Sequence, residues 1–357
     1  MSITLAEASK LATDVLLKGI IETVIKDSPI LERLPFIQIT GNSLKYNREK
    51  TLPSAAFYAP VTGTWAASPP TFKQMTATLS VLGVDADVDN FLKATRSNIQ
   101  DLEAACIELA AKAVRHKFED TFINGDTGSD ANAFDGLYKT LKGTPWTATT
   151  AKALGDEVVP TAGNENGFIY ECTTAGTTGS SQPTWPTVEG ATVNDGTVVW
   201  TCRFGNHIGS GANGASLTLA AIDKLIDLVR GGKPDLLLMS RRSRRKIVSL
   251  ARATGTNLLI GEGKLGEVVE YYNGIPVAIS DWIKDNYTVG SSSDCSVIFA
   301  FQMGEGAVCG LTSPEMLQVE RLGSLETKDA TRTRVKWYVS MACFSAVKAA
   351  MLTGVRD

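Results

Sequence analysis

Histidine is almost missing from this chain, with only His116 and His207 among 357 residues. That leaves little general acid–base capacity near neutral pH, so any such work would fall to carboxylates. The six cysteines show no CxxC spacing, which argues against a zinc site and against a disulfide scaffold. Buried lone thiols are the expectation for Cys106, Cys309 and Cys343. No apolar run reaches the roughly 18 residues of a membrane span, so no membrane partner is expected. The start, MSITLAEASKLATDVLLKGIIETVI, has no basic leader before an apolar block and no small-residue cleavage site. It reads as an amphipathic helix, not a secretion signal. Nucleophile elbow, P-loop and dinucleotide fingerprint are missing. The glycines from Gly205 to Gly214 carry no GKT or GKS. A net charge of −3 is too slight to imply a polyanion partner. No catalytic residue, metal or cofactor is expected, and the chain reads as a non-enzyme.

What is present is organised around SNIQDLEAACIELAAKAVRHKFEDTFIN, residues 97 to 124. Ser97 and Gln100 form a capping box. Apolar or small residues recur at Ile99, Leu102, Cys106, Leu109 and Ala113, and at Ile107, Ala110, Val114 and Phe118. So wide a stripe predicts a helix covered on more than one side. Gly125 is a natural stop. About 26 helical residues would make a rod of about 39 Å, the length of a strut.

The length suits two or three domains. Residues 1 to 34 predict one or two helical segments, with Thr4 and Glu7 as a capping box and a break at Asp27-Ser28-Pro29. Ile30 to Ile39 carries Pro35 and reads as extended. Leu44 to Glu49 and Thr71 to Ser80 alternate as strands. Between them lie Pro53, Pro60, Gly63, Pro69 and Pro70 with Phe57, Tyr58 and Trp65. Such a loop is either folded back on its own domain or projected onto another molecule, which explains exposed Tyr58 and Trp65 better. Val81 to Asn90 is a short strand. Its Asp85, Asp87 and Asp89 make an acidic face, solvated or interfacial in preference to ion-binding.

Residues 144 to 206 are rich in Thr and Gly and nearly lack Lys and Arg. Strands at Phe168–Cys172, Ala191–Val193 and Thr197–Cys202, with turns at Asn166-Gly167, Glu189-Gly190 and Asp195-Gly196, predict a small all-β insertion. Cys172 and Cys202 are placed where they could face each other on adjacent strands, as reduced thiols in preference to a bridge. A compact α/β block follows, with an amphipathic helix from Leu219, a buried strand Leu236–Met239 and a helix capped by Ser240. Met316–Arg321 and Thr331–Met341 predict a hairpin. Cys343–Leu352 is expected to pair beside the strand before the long helix.

The order of these parts resembles the major capsid protein of tailed bacteriophages, the Hong Kong 97 capsid fold shared with encapsulins. The segments carrying the resemblance are LEAACIELAAKAVRHKFEDTFINGD with GLYKTL, PDLLLMS with SRRKIVSL, and the closing AVKAAMLTGV. It implies an α+β fold with an N-terminal arm (1–40) and an extended hairpin loop (41–80). A peripheral domain (81–143 and 310–357) would hold the spine helix 97–124. A small β insertion (144–206) and an axial domain (207–309) would complete the subunit. It implies self-assembly as pentamers and hexamers into an icosahedral shell around phage DNA held non-specifically. The product would be a virion assembled in host cytoplasm, with separate scaffolding, portal or decoration proteins as further partners. Some relatives cross-link a loop lysine to an asparagine. Lys45, Lys50 and Lys73 are present, but the sequence identifies no acid partner and so does not predict the reaction.

Candidate interface residues are Phe57, Tyr58, Trp65 and Phe72 on the loop and Arg241, Arg242, Arg244 and Arg245 on the basic helix. The arginines would pair with acids such as Glu262 or Glu267 of a neighbour, contact DNA, or stay solvated. Trp146, Tyr170, Trp185 and Trp200 either stack on sugars or form the core of the insertion. The alternatives are an encapsulin-like compartment with protein cargo, and a carbohydrate-binding or hydrolytic surface protein acting through the insertion.

Overall fold

The computed structural model describes residues 29–59, 62–96, 102–253, 259–262 and 268–356. The helices and capping box expected before Ile30, and the Ser97–Gln100 capping box, lie outside the described residues. The fold is α+β, built on two large sheets with helices packed against them.

The spine helix runs Leu102–Asn124, 23 residues or about 34 Å. Cys106, Ala110, Val114, Phe118 and Phe122 are buried, one every fourth residue, so they form a single line along the rod. The second expected line is open: Leu109 is 44% exposed and Ala113 is exposed. The first half of the helix is therefore covered on one side within the chain, whereas around its last turns Phe118, Glu119, Thr121, Phe122 and Ile123 are all buried, so cover there comes from several sides. A short helix, Asn90–Arg96, precedes it. The Asp89 carboxylate caps that helix by accepting the N–H groups of Phe91 and Leu92, at 2.8 and 3.3 Å.

The buried line packs on a five-stranded sheet. Its central strand is Ala330–Cys343, where Val335, Trp337, Val339 and Met341 face the core. Strand Ser80–Asp89 lies antiparallel along one side, from Ser80 opposite Val339 to Asp89 opposite Ala330. Strands Gln318–Ser324 and Val308–Thr312 pair with the other side. Phe118 meets Trp337 at 4.9 Å between ring centroids, and Phe36 meets the same indole at 5.4 Å.

The arm departs from its expected extended form. Ile30–Arg33 closes one helical turn, with the Leu34 N–H donating to Ile30 O at 2.8 Å. Pro29 precedes the turn and Pro35 ends it, because the residue before a proline is pushed out of the helical region. Phe36–Gln38 then pairs in parallel with Val308–Thr312. Gly310 makes room for this: a Cβ there would lie 2.3 Å from the Phe36 ring.

The second sheet has twelve strands. Leu236–Met239, Ser292–Phe301 and Ala349–Arg356 sit in its middle. The last of these was expected beside Ser80–Asp89. It instead pairs antiparallel with Ser292–Phe301 and parallel with the end of Val198–Gly209. Ala349 to Val355 are all buried. A run apolar on both faces belongs inside a sheet, and the position beside Ser80–Asp89 is filled by Ala330–Cys343.

Residues 144 to 206 fold as antiparallel strands joined to this same sheet. Asn166–Thr174 and Val198–Gly209 form the main pair, and Thr192–Asp195 turns back on Val198 through Gly196. Val198–Gly209 is twelve residues long. Its first part lies in the inserted module, and His207 to Gly209 pair with Met351 to Thr353. Asn166-Gly167, read from sequence as a turn, opens a strand. Cys172 lies opposite Trp200 and Cys202 opposite Tyr170, a diagonal offset and not a facing pair. Both thiols are free and buried. They donate to the carbonyls of Thr174 and Pro186, at 3.2 and 3.3 Å.

Candidate assembly surfaces: the projecting loop and the basic helix

Strands Ser43–Thr51 and Thr71–Thr78 form a two-stranded ribbon that joins neither large sheet. Its root is pinned. The Tyr46 hydroxyl donates to Cys343 O at 3.0 Å and Arg48 Nε donates to Phe344 O at 2.8 Å. The Tyr46 ring meets Phe344 edge-on at 4.8 Å. Burial pushes the Tyr46 hydroxyl above its ordinary pKa, so it stays a donor. An open cleft of about 910 Å³ lies between this root and the 127–135 loop beyond the spine helix.

Beyond the root, residues 52 to 59 and 62 to 70 form neither helix nor strand. Tyr58 stacks on Trp65 with centroids 4.3 Å apart, and its hydroxyl accepts the Ala66 N–H at 3.3 Å. The Ser54 N–H donates to Ser68 Oγ at 3.0 Å, tying the two legs together. Phe57 is 109% exposed, Trp65 81% and Phe72 64%. Tyr58, expected to be exposed, is half-buried beneath Trp65.

The basic cluster begins the helix Arg241–Ala253. Ser240 Oγ accepts the Ser243 N–H at 3.3 Å and donates to Asp285 at 2.7 Å. Arg241 is bidentate on Asp281, at 2.6 and 2.9 Å. Arg244 is bidentate on Glu270, and this pairing raises the guanidinium pKa and lowers that of the carboxyl. Arg242 donates to Asp294 O at 2.7 Å and lies 3.5 Å from Asp285. The acids meeting Arg241, Arg242 and Arg244 therefore belong to their own chain. Glu267, one of the acids expected on a neighbour, lies outside the described residues. In-chain carboxylates offset the cost of crowding cations at a helix N-terminus.

The acidic strand is also paired internally. Arg334 is bidentate on Asp85, at 2.7 and 2.9 Å, and Arg332 on Asp87, at 2.6 and 2.7 Å. The hydrogen bonds from these arginines lower both carboxyl pKa values. With Asp89 capping a helix, this strand does not present a free acidic face. Among the described residues no cluster of His, Cys, Asp or Glu has the arrangement to hold a metal ion.

The aromatics of the insertion form its interior. Tyr170 and Trp200 are fully covered and Trp146 nearly so. Trp185 is half-buried and stacks on Tyr170 at 4.1 Å. The Tyr170 hydroxyl donates to Pro186 O at 2.8 Å and accepts from Asn166 at 2.7 Å. Burial pushes its pKa up to about 12. Three of the four candidate sugar-stacking rings are thus turned inward.

Sequence reading missed the seam between insertion and sheet. His207 is 2% exposed there. Its Nδ1–H donates to Lys142 O at 3.1 Å, and Nε2 accepts from the Thr353 hydroxyl at 2.9 Å. Glu165 Oε1 lies 3.8 Å away. Burial pushes His207 down to about 4 and pushes the Glu165 carboxyl up. Nothing local in sequence marks this pair, because 41 residues of loop and strand lie between its members.

The Phage capsid family matches residues 11–335. No curated protein sequence is similar to the chain. Among solved structures, the holo encapsulin complex of Synechococcus elongatus PCC 7942 superposes with a TM-score of 0.61 at 14% identity, covering 99% of this chain and 96% of that one. The capsid of an empty GTA particle gives 0.58 at 14% identity, covering 99% and 98%. Microbacterium phage Oxtober96 gives 0.57 at 15% identity, covering 99% of each chain. The chain belongs to the phage capsid family and has the Hong Kong 97 capsid fold.

Proposed function

We propose that this chain is a major capsid protein that self-assembles, as pentamers and hexamers, into an icosahedral shell enclosing phage DNA. The observation that carries the reading is the tip of the projecting loop, where Phe57 and Trp65 stand exposed with no cover from the described residues. An aromatic ring buries about 200 Å² in a contact, worth about 5 kcal/mol at about 25 cal/mol per Å² before ordering costs. A closed shell repeats that contact around every subunit, which is how modest contacts give a stable particle. Residues 1–40 act as the arm and 41–80 as the loop. Residues 81–143 with 310–357 make the peripheral part, 144–206 the insertion and 207–309 the axial part, with strand Ala349–Arg356 lent to the axial sheet. Phe57, Tyr58, Trp65 and Phe72 are the contact residues. Arg241, Arg242 and Arg244, held by in-chain acids, contribute at the axial surface together with Arg245. The mature product is a virion assembled in the host cytoplasm, with portal, scaffolding or decoration proteins as separate partners.

Sedimentation velocity and negative-stain microscopy of the expressed chain test this. Closed megadalton particles are expected, and a stable monomer at all concentrations would rule the reading out. The likeness to an encapsulin favours a second reading, a compartment with protein cargo. Nuclease-protected DNA recovered from particles made in the phage-infected host supports the first reading. Particles holding only a co-purified protein support the second.

A further inference from the structure

The projecting ribbon is held by two parts of the chain. Tyr46 and Arg48 fix its root to the end of strand Ala330–Cys343. Both of its strands also reach the inserted module, through Lys73 directly opposite Arg48 and through Lys50 two residues further out. Lys50 Nζ lies 2.8 Å from Glu171 Oε1, and Lys73 Nζ lies 2.9 Å from Glu157 Oε2. The ribbon pairs Glu49 with Phe72 and Thr51 with Thr71, so Lys50 is an extra residue in the ladder. Such a bulge re-aims a side chain, and here it sends the ammonium to the module. Gly155 leaves the path open, since a Cβ there would stand 3.2 Å from Lys50 Nζ. Glu171 is held from the other side by Arg203 Nε at 3.3 Å.

The geometry points to a second role for the insertion: it is a bracket that sets the direction in which the assembly loop projects. Each contact alone is a modest surface pair. Two of them, one on each strand, at the level of Arg48 for Lys73 and just past it for Lys50, tie the base of the ribbon to a second body and so restrict the hinge that a bare two-stranded ribbon would have there. The free length begins only at residue 52, just past Lys50, and the exposed Phe57 and Trp65 are then presented at a fixed angle. The module thereby acts on shell geometry without touching a neighbour, and this consequence rests on the shell-forming reading above.

The test is made on full-length subunits kept dissociated at low concentration. The six native cysteines are buried, so Ala67→Cys and Val188→Cys, both at exposed positions, take nitroxide labels for a pulsed-EPR distance measurement. A narrow loop-to-module distance distribution is expected in the otherwise native chain. Lys50→Glu with Lys73→Glu should at least double its width. The charge swap Lys73→Glu with Glu157→Lys, which alters one contact and restores its sign, should return the native width that Lys73→Glu alone loses. Added salt at 0.5 M should broaden the native distribution, because exposed pairs are screened. Equal widths in native and double-reversed chains, or a swap no narrower than the single reversal, would overturn the bracket. Native chains that never form shells while these widths change as expected would instead sink the shell reading and leave the bracket standing.

Discussion

Trp146 and Trp200 aim their indole N–H groups at one oxygen, Asp195 Oδ2, at 2.7 and 2.9 Å. The other oxygen of the same carboxylate accepts the Gly179 N–H at 2.8 Å. One side chain therefore satisfies three donors inside a very small core. Asp195→Ala orphans all three, and each buried orphan costs about 1–3 kcal/mol, so a loss of about 3 kcal/mol or more is expected. Asp195→Asn keeps one accepting oxygen and should lose less. Calorimetric unfolding of the two variants gives the ranking, and equal midpoints would refute it.

Trp65→Ala and Phe57→Ala test the loop as a contact. Both rings are exposed in the subunit, so the unfolding midpoint of the unassembled chain should not move. A central aromatic anchor carries about 2 kcal/mol or more in an interface, which is more than tenfold in the contact's dissociation constant. The protein concentration at which particles first appear should rise by at least about tenfold, read by light scattering. Assembly at the native threshold would remove these residues from the interface.

The buried imidazole predicts an acid-sensitive seam. The folded His207 pKa of about 4 lies below its ordinary 6.5. The unfolded chain therefore binds the extra proton first, and stability is present above pH 6.5 and lost as pH falls toward 4. Between pH 7 and pH 5 the loss is about 2 kcal/mol at about 1.4 kcal/mol per pH unit. Glu165 works in the opposite sense, because its raised folded pKa makes the folded chain take up a proton as pH falls. His207→Gln should flatten the drop seen in urea unfolding between those two pH values. A drop as steep as in the native chain would assign it to other groups.

The two arginine–aspartate pairs on the central strand should not be equivalent. The Asp87 side chain is 3% exposed and that of Asp85 is 28% exposed. Removing Arg332 leaves the more deeply covered carboxylate unpaired, so Arg332→Ala should lower the unfolding midpoint more than Arg334→Ala. Differential scanning fluorimetry decides it, and the reverse order would contradict this reading.

Gly310→Ala tests the seat of the arm. A methyl group would meet the Phe36 ring at 2.3 Å, and that ring is fixed between Phe118 and Trp337. Overpacking of this kind costs about 1–3 kcal/mol. Faster hydrogen exchange across Phe36–Gln38 is expected, and unchanged exchange there would show that the arm has room to spare.

Much of the frame was legible because periodicity records burial. The wide apolar stripe found the spine helix, and alternation at Val335, Trp337, Val339 and Met341 found the central strand. Partners were harder to read. Nothing in AVKAAMLTGV names the strand it pairs with, only that both of its faces are covered, so Ala349–Arg356 was sought at the wrong sheet. The arginines after Ser240 looked like a surface seeking acids elsewhere, because Glu270, Asp281 and Asp285 come close only through the fold. The loop tip was legible by its excess of rings over local partners. The ties from Lys50 and Lys73 to the insertion were not, since they depend on a bulge and on how two parts of the chain are set side by side.

The strand Val198–Gly209 belongs to two structures at once, with Trp200 in the heart of the insertion and Ile208 in the large sheet. Trimming the insertion at residue 206 would saw through that beam and strip His207 to Gly209 of their alignment on Met351 to Thr353. Lengthening, shortening or decoration by foreign sequence is tolerable only out at the bends. Gly190, where an added Cβ would meet nothing, is the natural place for a graft.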